Sequence, residues 1–281
     1  MKSDSIKIGV VKAGCIATLP LLEFLFDERA DRIDVDFIVS GSGSKLGPNQ
    51  CKRAVNQILD QNPGLIILVG PAQAAPGPKL ARKKLSESGI PTIVISDSPA
   101  KSLVKDFEKF SMGYIIIEAD SMIGARREFL DPIEMILYNS DTMKVLALTG
   151  AFNVVINVID GIIDSIKKGG DYSLPKIIID KDKAVKNAGY NNPYARAKAI
   201  ASYEIAKQAA SLNIEGCFRE KEWTRYIPLV TAGHEMMRTA AKLVDEAREI
   251  EKSDNSVLRT PHHKDGKIGE KRELMEKPTR V

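Results

Sequence analysis

The fold class that this 281-residue sequence predicts is α/β: an open parallel sheet in an N-terminal domain, then a helix-bundle domain and a small C-terminal β segment. Three observations predict it. Five short apolar runs alternate with helical patterns up to Asp120. One of them, Leu65-Ile66-Ile67-Leu68-Val69, lacks the polar alternation of a half-exposed strand, so both of its faces should be covered by helices. After Asp120 the apolar spacing turns to threes and fours over long stretches, which is helical.

In chain order, the first strand spans Ile6 to Val11 and leads into a helix from about Thr18 to Glu28. A second strand, Val35 to Ser40, precedes a helix from about Asn49 to Asp60. The apolar run at Leu65 is the third strand. It breaks at Gly70 into a loop rich in Ala and Pro that ends at Pro78, and a helix follows with Pro near its first position. Strands at Pro91 to Ser96 and Gly113 to Ile117 flank a helical segment around Ala100 to Phe110. Leu130-Asp131-Pro132 has the form of a helix start, and helical spacing continues from Ile133 to Gly150 and from Phe152 to Lys168. Two more long helices are expected, at about Pro193 to Leu212 and Ala232 to Lys252. Lys176-Ile177-Ile178-Ile179 is strand-like, with its sheet left open. Val257-Leu258-Arg259 and Lys267-Ile268-Gly269 around Asp265-Gly266 suggest a small hairpin. The expected division is 1–125 for the α/β domain, 126–254 for the bundle and 255–281 for the β tail.

Composition excludes several classes. Forty-one Lys and Arg against 37 Asp and Glu give a formal charge of +4, too small and dispersed for a nucleic-acid footprint. Cys15, Cys51 and Cys217 are far apart and in no CxxC spacing, against a disulfide framework or a zinc site and in favour of a reducing compartment. The apolar stretch after Thr18 is interrupted by Glu23, so no secretory signal is read, and no segment reaches the roughly 18 apolar residues of a membrane span. A soluble, cytoplasmic protein is expected.

Candidate chemistry gathers where strands end. From Gly70 to Pro78 no side chain titrates, so Gly70, Pro71, Ala72, Ala74 and Ala75 offer only backbone groups, methyl surface and fixed shape. That suits a flat ring; the plainer alternative is a rigid connector. Ligands of open parallel sheets sit at such loops. The first strand leads to Gly14-Cys15-Ile16-Ala17-Thr18, where GxGxxG is absent, so an ordinary nicotinamide-dinucleotide site is disfavoured. Backbone N–H groups and Thr18 remain available there for an anion. Cys15 reads as a packing thiol, because no His lies near it in sequence. Ser40 and Gly41 close the second strand and complete this group of small residues. His234-Glu235-Met236-Met237-Arg238 begins like HExxH, but a guanidinium cannot ligate zinc, so His234 reads as a polar group on a bundle helix. His262 and His263 read as solvated tail residues, with a subunit contact as the alternative. Asp97 and Asp120 follow the fourth and fifth strands, and Arg126, Arg127 and Glu128 come next. Carboxylates there would hydrogen-bond a pterin edge and stabilise a cation on it, while the arginines hold an anionic tail. The alternative is that Arg126, Arg127, Glu128 and Asp131 cap and pair at a helix start.

Six strings carry a resemblance: Asp27-Glu28-Arg29-Ala30-Asp31-Arg32, Ala74-Ala75-Pro76-Gly77-Pro78, Gly124 through Pro132, Asn192-Pro193-Tyr194-Ala195, Gly233 through Arg238, and Leu258-Arg259-Thr260-Pro261-His262. In order and over almost the whole chain, the sequence resembles the F420-dependent methylenetetrahydromethanopterin dehydrogenases of archaea. It departs from the family's Gly-Asn-x-Gly-Thr at Gly14-Cys15-Ile16-Ala17-Thr18. The resemblance implies reversible hydride transfer between methylenetetrahydromethanopterin and coenzyme F420 in one-carbon metabolism and methanogenesis. The coenzyme would be a dissociable cosubstrate, with no metal and no flavin, and the enzyme a homohexamer built from dimers. Hydride loss leaves a cation shared by two nitrogens, so no residue need act as acid or base. Positioning alone can supply about 7–11 kcal/mol, with Asp97, Asp120 and Glu128 as electrostatic support. The alternatives from other classes are a non-catalytic deazaflavin- or pterin-binding module and a nicotinamide-dependent dehydrogenase.

Overall fold

Side-chain alternation builds the sheet from the inside. In the computed structural model, which describes residues 5–121, 131–169 and 172–277, β1 (Ile6–Lys12), β2 (Val35–Gly41), β3 (Leu65–Val69), β4 (Thr92–Asp97), β5 (Gly113–Ile117) and β6 (Lys176–Ile179) form one parallel sheet. Its order is β2-β1-β3-β4-β5-β6. Ile8, Val10, Leu65, Ile67 and Val69 belong to the core on one face, and Val11, Ile66 and Leu68 to the core on the other. All five residues of β3 are fully buried, as a run without polar alternation requires. Each such aliphatic side chain contributes about 1.5–3 kcal/mol.

Helices α2 (Pro48–Leu59), α3 (Pro76–Glu87) and α4 (Val104–Lys109) cover the second face. The first face is covered by α1 (Thr18–Glu28) and by the helices of the second half: α5 (Pro132–Leu148), α6 (Ala151–Lys167), α7 (Lys181–Ala188), α8 (Pro193–Ile214) and α9 (Trp223–Ser253). Bundle and sheet therefore share one core, in which Tyr138, Ile163, Tyr203 and Met237 meet Ile67 and Ile115.

Three elements differ from what the sequence predicts, each for a local reason, and one whose sheet the sequence leaves open finds its place. The strand-like run at Lys176 joins the main sheet beside β5, so the bundle half supplies its sixth strand. Helix α9 starts at Trp223 rather than Ala232, because Pro228 is accommodated in its second turn instead of marking a boundary. Helix α7 goes unpredicted, although Asp180 caps it through Lys183 N–H at 2.8 Å and Gly189 ends it in a left-handed conformation. The segment around Ala100 splits into a 3-10 turn from Ser98 to Leu103 and the short α4.

The tail hairpin forms with a longer reach than the sequence suggests. Gly266, at φ +83°, makes the turn, and His262 bridges to Ile268. The strand partner of β7 (Leu258–Arg259) is β8 (Arg272–Glu273), not the Lys267 run. The hairpin docks where α1 runs into β2, at the amino edge of the sheet. Ile33 N–H donates to Lys264 O at 2.8 Å, and Lys167 Nζ spans Asp34 Oδ2 at 2.8 Å and Asp265 O at 2.7 Å. A Cβ on Gly266 would fall 2.3 Å from Asp34 Oδ2, so only glycine fits there. His262 sits between Glu28 and Asp31 at 3.1 Å from each, a contact within the chain rather than a solvated position.

Candidate active site

The strand order reverses at β1: the chain steps outward to β2, then returns to place β3 on β1's other side. Loops leaving β1 and β3 diverge there, at the switch point where ligands of such sheets bind. The two loops are clasped at their base. Ala13 N–H donates to Val69 O at 2.8 Å, and a Cβ on Gly70 would lie 1.8 Å from Ala13 O, so this position takes only glycine. Gly14 turns at φ +84° and donates its N–H to Ser42 Oγ at 3.3 Å, while Ser42 N–H reaches Lys12 O at 2.9 Å. The loop after β2 is thus tied to the loop after β1. Ser40 Oγ bonds Gln57 at 2.6 Å, and Gly41 packs against the Lys12 side chain.

The loop after β3 is held from beneath by side chains that its uncharged composition does not suggest. Arg82 Nη1 donates to Gln73 O at 2.5 Å and to Gln73 Oε1 at 2.9 Å, and its guanidinium lies 5.3 Å from the centre of the Phe107 ring. Gln73 Nε2 then donates to Gly70 O at 2.9 Å, and Ser96 Oγ approaches the same oxygen at 2.8 Å. Pro71 and Gln73 are buried, while Ala74 is exposed at the crest beside half-buried Ala72 and Ala75. Ala72 adopts φ +51°, a conformation costing roughly 1–2 kcal/mol without glycine. Its backbone N–H is thereby spent on the Asp97 carboxyl. Arg82 and Gln73 brace this loop in a way that composition hides; an Arg on the buried side of a short amphipathic helix is the signal that could reveal them.

Asp97 and Asp120 come together at the carboxyl edge, in a small cleft lined also by Ser98, Pro99, Ser121, Asn213, Cys217 and Phe218. Asp120 is buried and bridges the sheet. Its Oδ1 accepts from Ala17 N–H at 2.9 Å, and its Oδ2 from Thr18 N–H at 3.0 Å and Thr18 Oγ1 at 2.5 Å. The anion that α1's first turn holds is therefore this carboxylate, and Thr18 is not left for a ligand anion as the sequence suggests. Burial pushes Asp120 up to about 6 against the pull of these bonds. Burial, with Asp120 second, pushes Asp97 up to about 7. Cys15 is half-buried, and burial raises its thiol, which fits a packing role better than a nucleophile.

Behind Ser121 the bundle contributes a polar cluster. Tyr138 OH hydrogen-bonds Ser121 Oγ and accepts from Asn213 Nδ2 at 2.7 Å. The His234 ring stacks on Tyr138 at 4.3 Å, and burial lowers His234 to about 4, so it is neutral near pH 7. Glu118 is paired with Lys101 at 2.6 Å and Lys207 at 3.0 Å, which hold it below the usual carboxylate range although burial alone would raise it. Arg126, Arg127 and Glu128 lie outside the described residues. Asp131 caps α5, accepting from Ile133 N–H at 2.7 Å, which is the structural role foreseen for it. Among the described residues no group of three or more His, Cys, Asp or Glu could hold a metal ion, and no single helix is long and apolar enough to cross a membrane.

A doubly wound sheet with a rigid, uncharged loop at its switch point and two buried carboxylates beyond it defines an α/β protein whose candidate ligand site lies at the carboxyl edge. Comparison with known proteins gives the family. Residues 6–279 match the family model described as methylene-5,6,7,8-tetrahydromethanopterin dehydrogenase. The F420-dependent methylenetetrahydromethanopterin dehydrogenase of Methanothermobacter marburgensis is 50% identical over 273 residues, 97% of this chain and 99% of that protein. The protein of the same description from Archaeoglobus fulgidus is 51% identical over 273 residues, with the same shares covered. A solved structure of an F420-dependent methylenetetrahydromethanopterin dehydrogenase, in complex with methylenetetrahydromethanopterin and coenzyme F420, is 45% identical and superposes with a TM-score of 0.92 over 98% of this chain and 100% of that one. The chain belongs to the methylenetetrahydromethanopterin dehydrogenase family.

Proposed function

We propose that this protein catalyses reversible hydride transfer between 5,10-methylenetetrahydromethanopterin and coenzyme F420. The observation that carries the reading is the full-length likeness to an enzyme solved with both of these ligands, on a fold whose switch point offers a ring-sized, uncharged loop. The cradle fits a deazaflavin: Gly70 brings the β3 loop against Ala13 without a side chain between them, and Ala74 presents only a methyl group at the crest. Bound there, the deazaflavin supplies the hydride acceptor.

The chain's own residues position and polarise. Gly70, Pro71, Ala72, Ala74 and Ala75 form the ring's platform, with Gly14, Cys15, Ser40 and Gly41 on the neighbouring loops. Gln73, Arg82 and Ser96 keep that platform from moving. Asp120 sets the β1 loop and, with Asp97, places negative potential at the edge where a pterin cation develops. Arg126, Arg127 and Glu128 are proposed to meet the pterin and its anionic tail. No residue is required as an obligatory acid or base. The division 1–125, 126–254 and 255–281 is retained for function, although β6 crosses it in the sheet.

Assembly as a homohexamer of dimers and a cytoplasmic location belong to the same reading. Exposed apolar residues support assembly: Ile133, Ile136 and Leu137 share one side of α5, and Phe24, Leu258 and Ile268 stand around the tail. Met237, by contrast, is fully buried core. The experiment is a side-by-side assay with F420, NAD and NADP, following bleaching of the oxidised deazaflavin band on adding the methylene substrate. Turnover with F420 is expected. A band that shifts without bleaching would make the protein a binding module.

A further inference from the structure

A hydride passes between two rings that lie face to face, so each ring needs a surface behind its outer face. The β3 loop backs the deazaflavin in the functional reading above, and no residue assigned so far backs the pterin. The cleft at the carboxyl edge has two walls. Asp97, Asp120 and Ser121 are its buried members, Pro99 stands exposed on the side of the sheet loops, and Phe218 stands exposed on the side of the bundle. About 300 Å³ of space lies between them, room for one flat ring system rather than a whole coenzyme. Phe218 is the one aromatic residue among the described residues of this lining.

The backbone holds Phe218 in place by an unusual turn. Helix α8 does not end at Ile214 but widens into a π turn, Glu215–Arg219, closed by the Glu220 N–H donating to Glu215 O at 2.9 Å. Turns of this kind recur at functional sites. The widened turn carries Phe218 onto the face where Asn213 and Ile214 already line the cleft. It is anchored on both sides. A Cβ on Gly216 would fall 2.8 Å from Val230 Cγ2, so the turn is pressed against α9. Glu220 Oε1 accepts from the Lys221 and Glu222 N–H groups at 2.9 and 3.1 Å, and its Oε2 pairs with Arg225 Nε at 3.0 Å. Yet the Phe218 ring is 62% exposed. A lone apolar residue on a surface needs no explanation, and Trp223, just as exposed, lines no part of the cleft. Phe218 differs in standing on a fixed backbone, over two buried carboxylates, across from Pro99.

We propose that Phe218 is the wall behind the pterin: its ring covers the pterin face turned away from the deazaflavin, while the edge of the pterin meets Asp97 and Asp120. The inference rests on the functional reading above and deepens it by giving the second substrate its own platform. An aromatic face suits a flat heterocycle, because stacking tolerates the change from the neutral methylene form to the methenyl cation. The two rings are then held between the β3 loop, which offers backbone and methyl groups, and one phenyl ring from the bundle.

Steady-state kinetics of the full-length enzyme, with each substrate varied in turn, tests this in Phe218→Ala, Phe218→Leu and Phe218→Tyr. Phe218→Ala should raise the Michaelis constant for methylenetetrahydromethanopterin about tenfold, the scale of one lost stacking contact, and lower kcat, with the constant for F420 unchanged. Tyrosine should restore both values and leucine only part of them. An unchanged pterin constant in Phe218→Ala, or an equal rise for both substrates, overturns the inference while leaving the functional reading intact. Dissociation of the assembly with a normal pterin constant assigns the ring to a subunit contact and overturns it too. A wild type that turns over no pterin with F420 overturns both readings. Should Phe218→Ala not fold, Phe218→Trp combined with Trp223→Phe leaves a single indole in the chain. Methenyltetrahydromethanopterin must quench its emission with no coenzyme present, and emission indifferent to the pterin contradicts the proposal.

Discussion

The two edges of the sheet handle charge in opposite ways. At the amino edge, Arg29, Arg32, Asp34, Asp160 and Lys167 form a packed ion network. Arg32 grips Asp34 through Nε at 2.9 Å and Nη2 at 2.8 Å, Arg29 reaches Asp160 at 2.6 Å, and Lys167 ties the knot to the tail. At the carboxyl edge, the described residues of the cleft lining include no Lys or Arg, the β3 loop is uncharged, and two carboxylates are buried next to each other. Geometry explains the difference. The bidentate Arg32–Asp34 pair fixes the geometry of the amino edge, although Arg29 Nε and Nη1, Arg32 Nη1 and Asp160 Oδ1 are buried there without a hydrogen bond. A site that must meet a transient cation does better with carboxylates whose partners are backbone N–H and hydroxyl groups.

Disturbing each edge should therefore fail in its own way. The largest effect is expected from Gly70→Ala, whose Cβ would lie 1.8 Å from Ala13 O. Since neither backbone can retreat cheaply, a loss of about 3 kcal/mol or more is expected together with coenzyme binding. Chemical denaturation and a coenzyme titration would check both, and a stable variant of normal affinity would break the comparison at its tightest point. Next comes Asp34→Ala, which strips Arg32 and Lys167 of their shared partner. About 3 kcal/mol of stability should go, because the buried Arg32 guanidinium loses its bidentate partner and keeps only Asp160, at 3.6 Å. The surviving folded protein should keep its Michaelis constant for coenzyme, and a raised constant would mean that the two edges are coupled.

The pH dependence sharpens the same contrast. Asp97 and Asp120 titrate higher when folded, about 7 and about 6, than in the unfolded chain, where the carboxylate value is about 3.9. Across that window the folded state binds more protons, so stability falls as pH rises from about 4 to 7. Burial pushes Asp34 up, but hydrogen bonds from Arg32 and Lys167 leave it below its ordinary value, so its contribution is present above about pH 4 and lost as pH falls further. The melting temperature should thus peak in mildly acidic solution, and Asp97→Asn should flatten the neutral limb alone. A monotonic rise up to pH 8 would contradict these assignments. The smallest effect is expected at Gly161 of α6, where an added Cβ meets nothing within 4 Å. Gly161→Ala should stabilise the protein by about 0.5–1 kcal/mol, read as a small rise in melting temperature.

Much of this architecture is legible in the sequence because burial writes a period. Leu65–Val69 and Gly113–Ile117 are strands with the bounds that their apolar runs suggest. What escapes is either local or very distant. Helix α7 carries only eight residues of weak pattern, and Pro228 masks the true start of α9. The partnership of Asp120 with Thr18 joins residues 102 apart, and no spacing rule links them. The same holds for Tyr138 and Asn213, 75 apart. The uncharged β3 loop shows in the sequence as a candidate ring site, but its rigidity rests on Arg82 and Ser96, whose side chains reach it only once the sheet has formed.

The central claim is that the coenzyme ring is recognised by the shape of the β3 loop, and Ala74 is the residue that exposes it to test. Its side chain stands at the crest, exposed and free of structural duty. Steady-state kinetics of Ala74→Leu with varied F420 is the direct measurement. The Michaelis constant for coenzyme should rise about tenfold or more, a loss of at least 1.4 kcal/mol, while the melting temperature and the constant for the pterin stay unchanged. An Ala74→Leu enzyme that binds coenzyme as the wild type does would place the ring elsewhere and contradict the account.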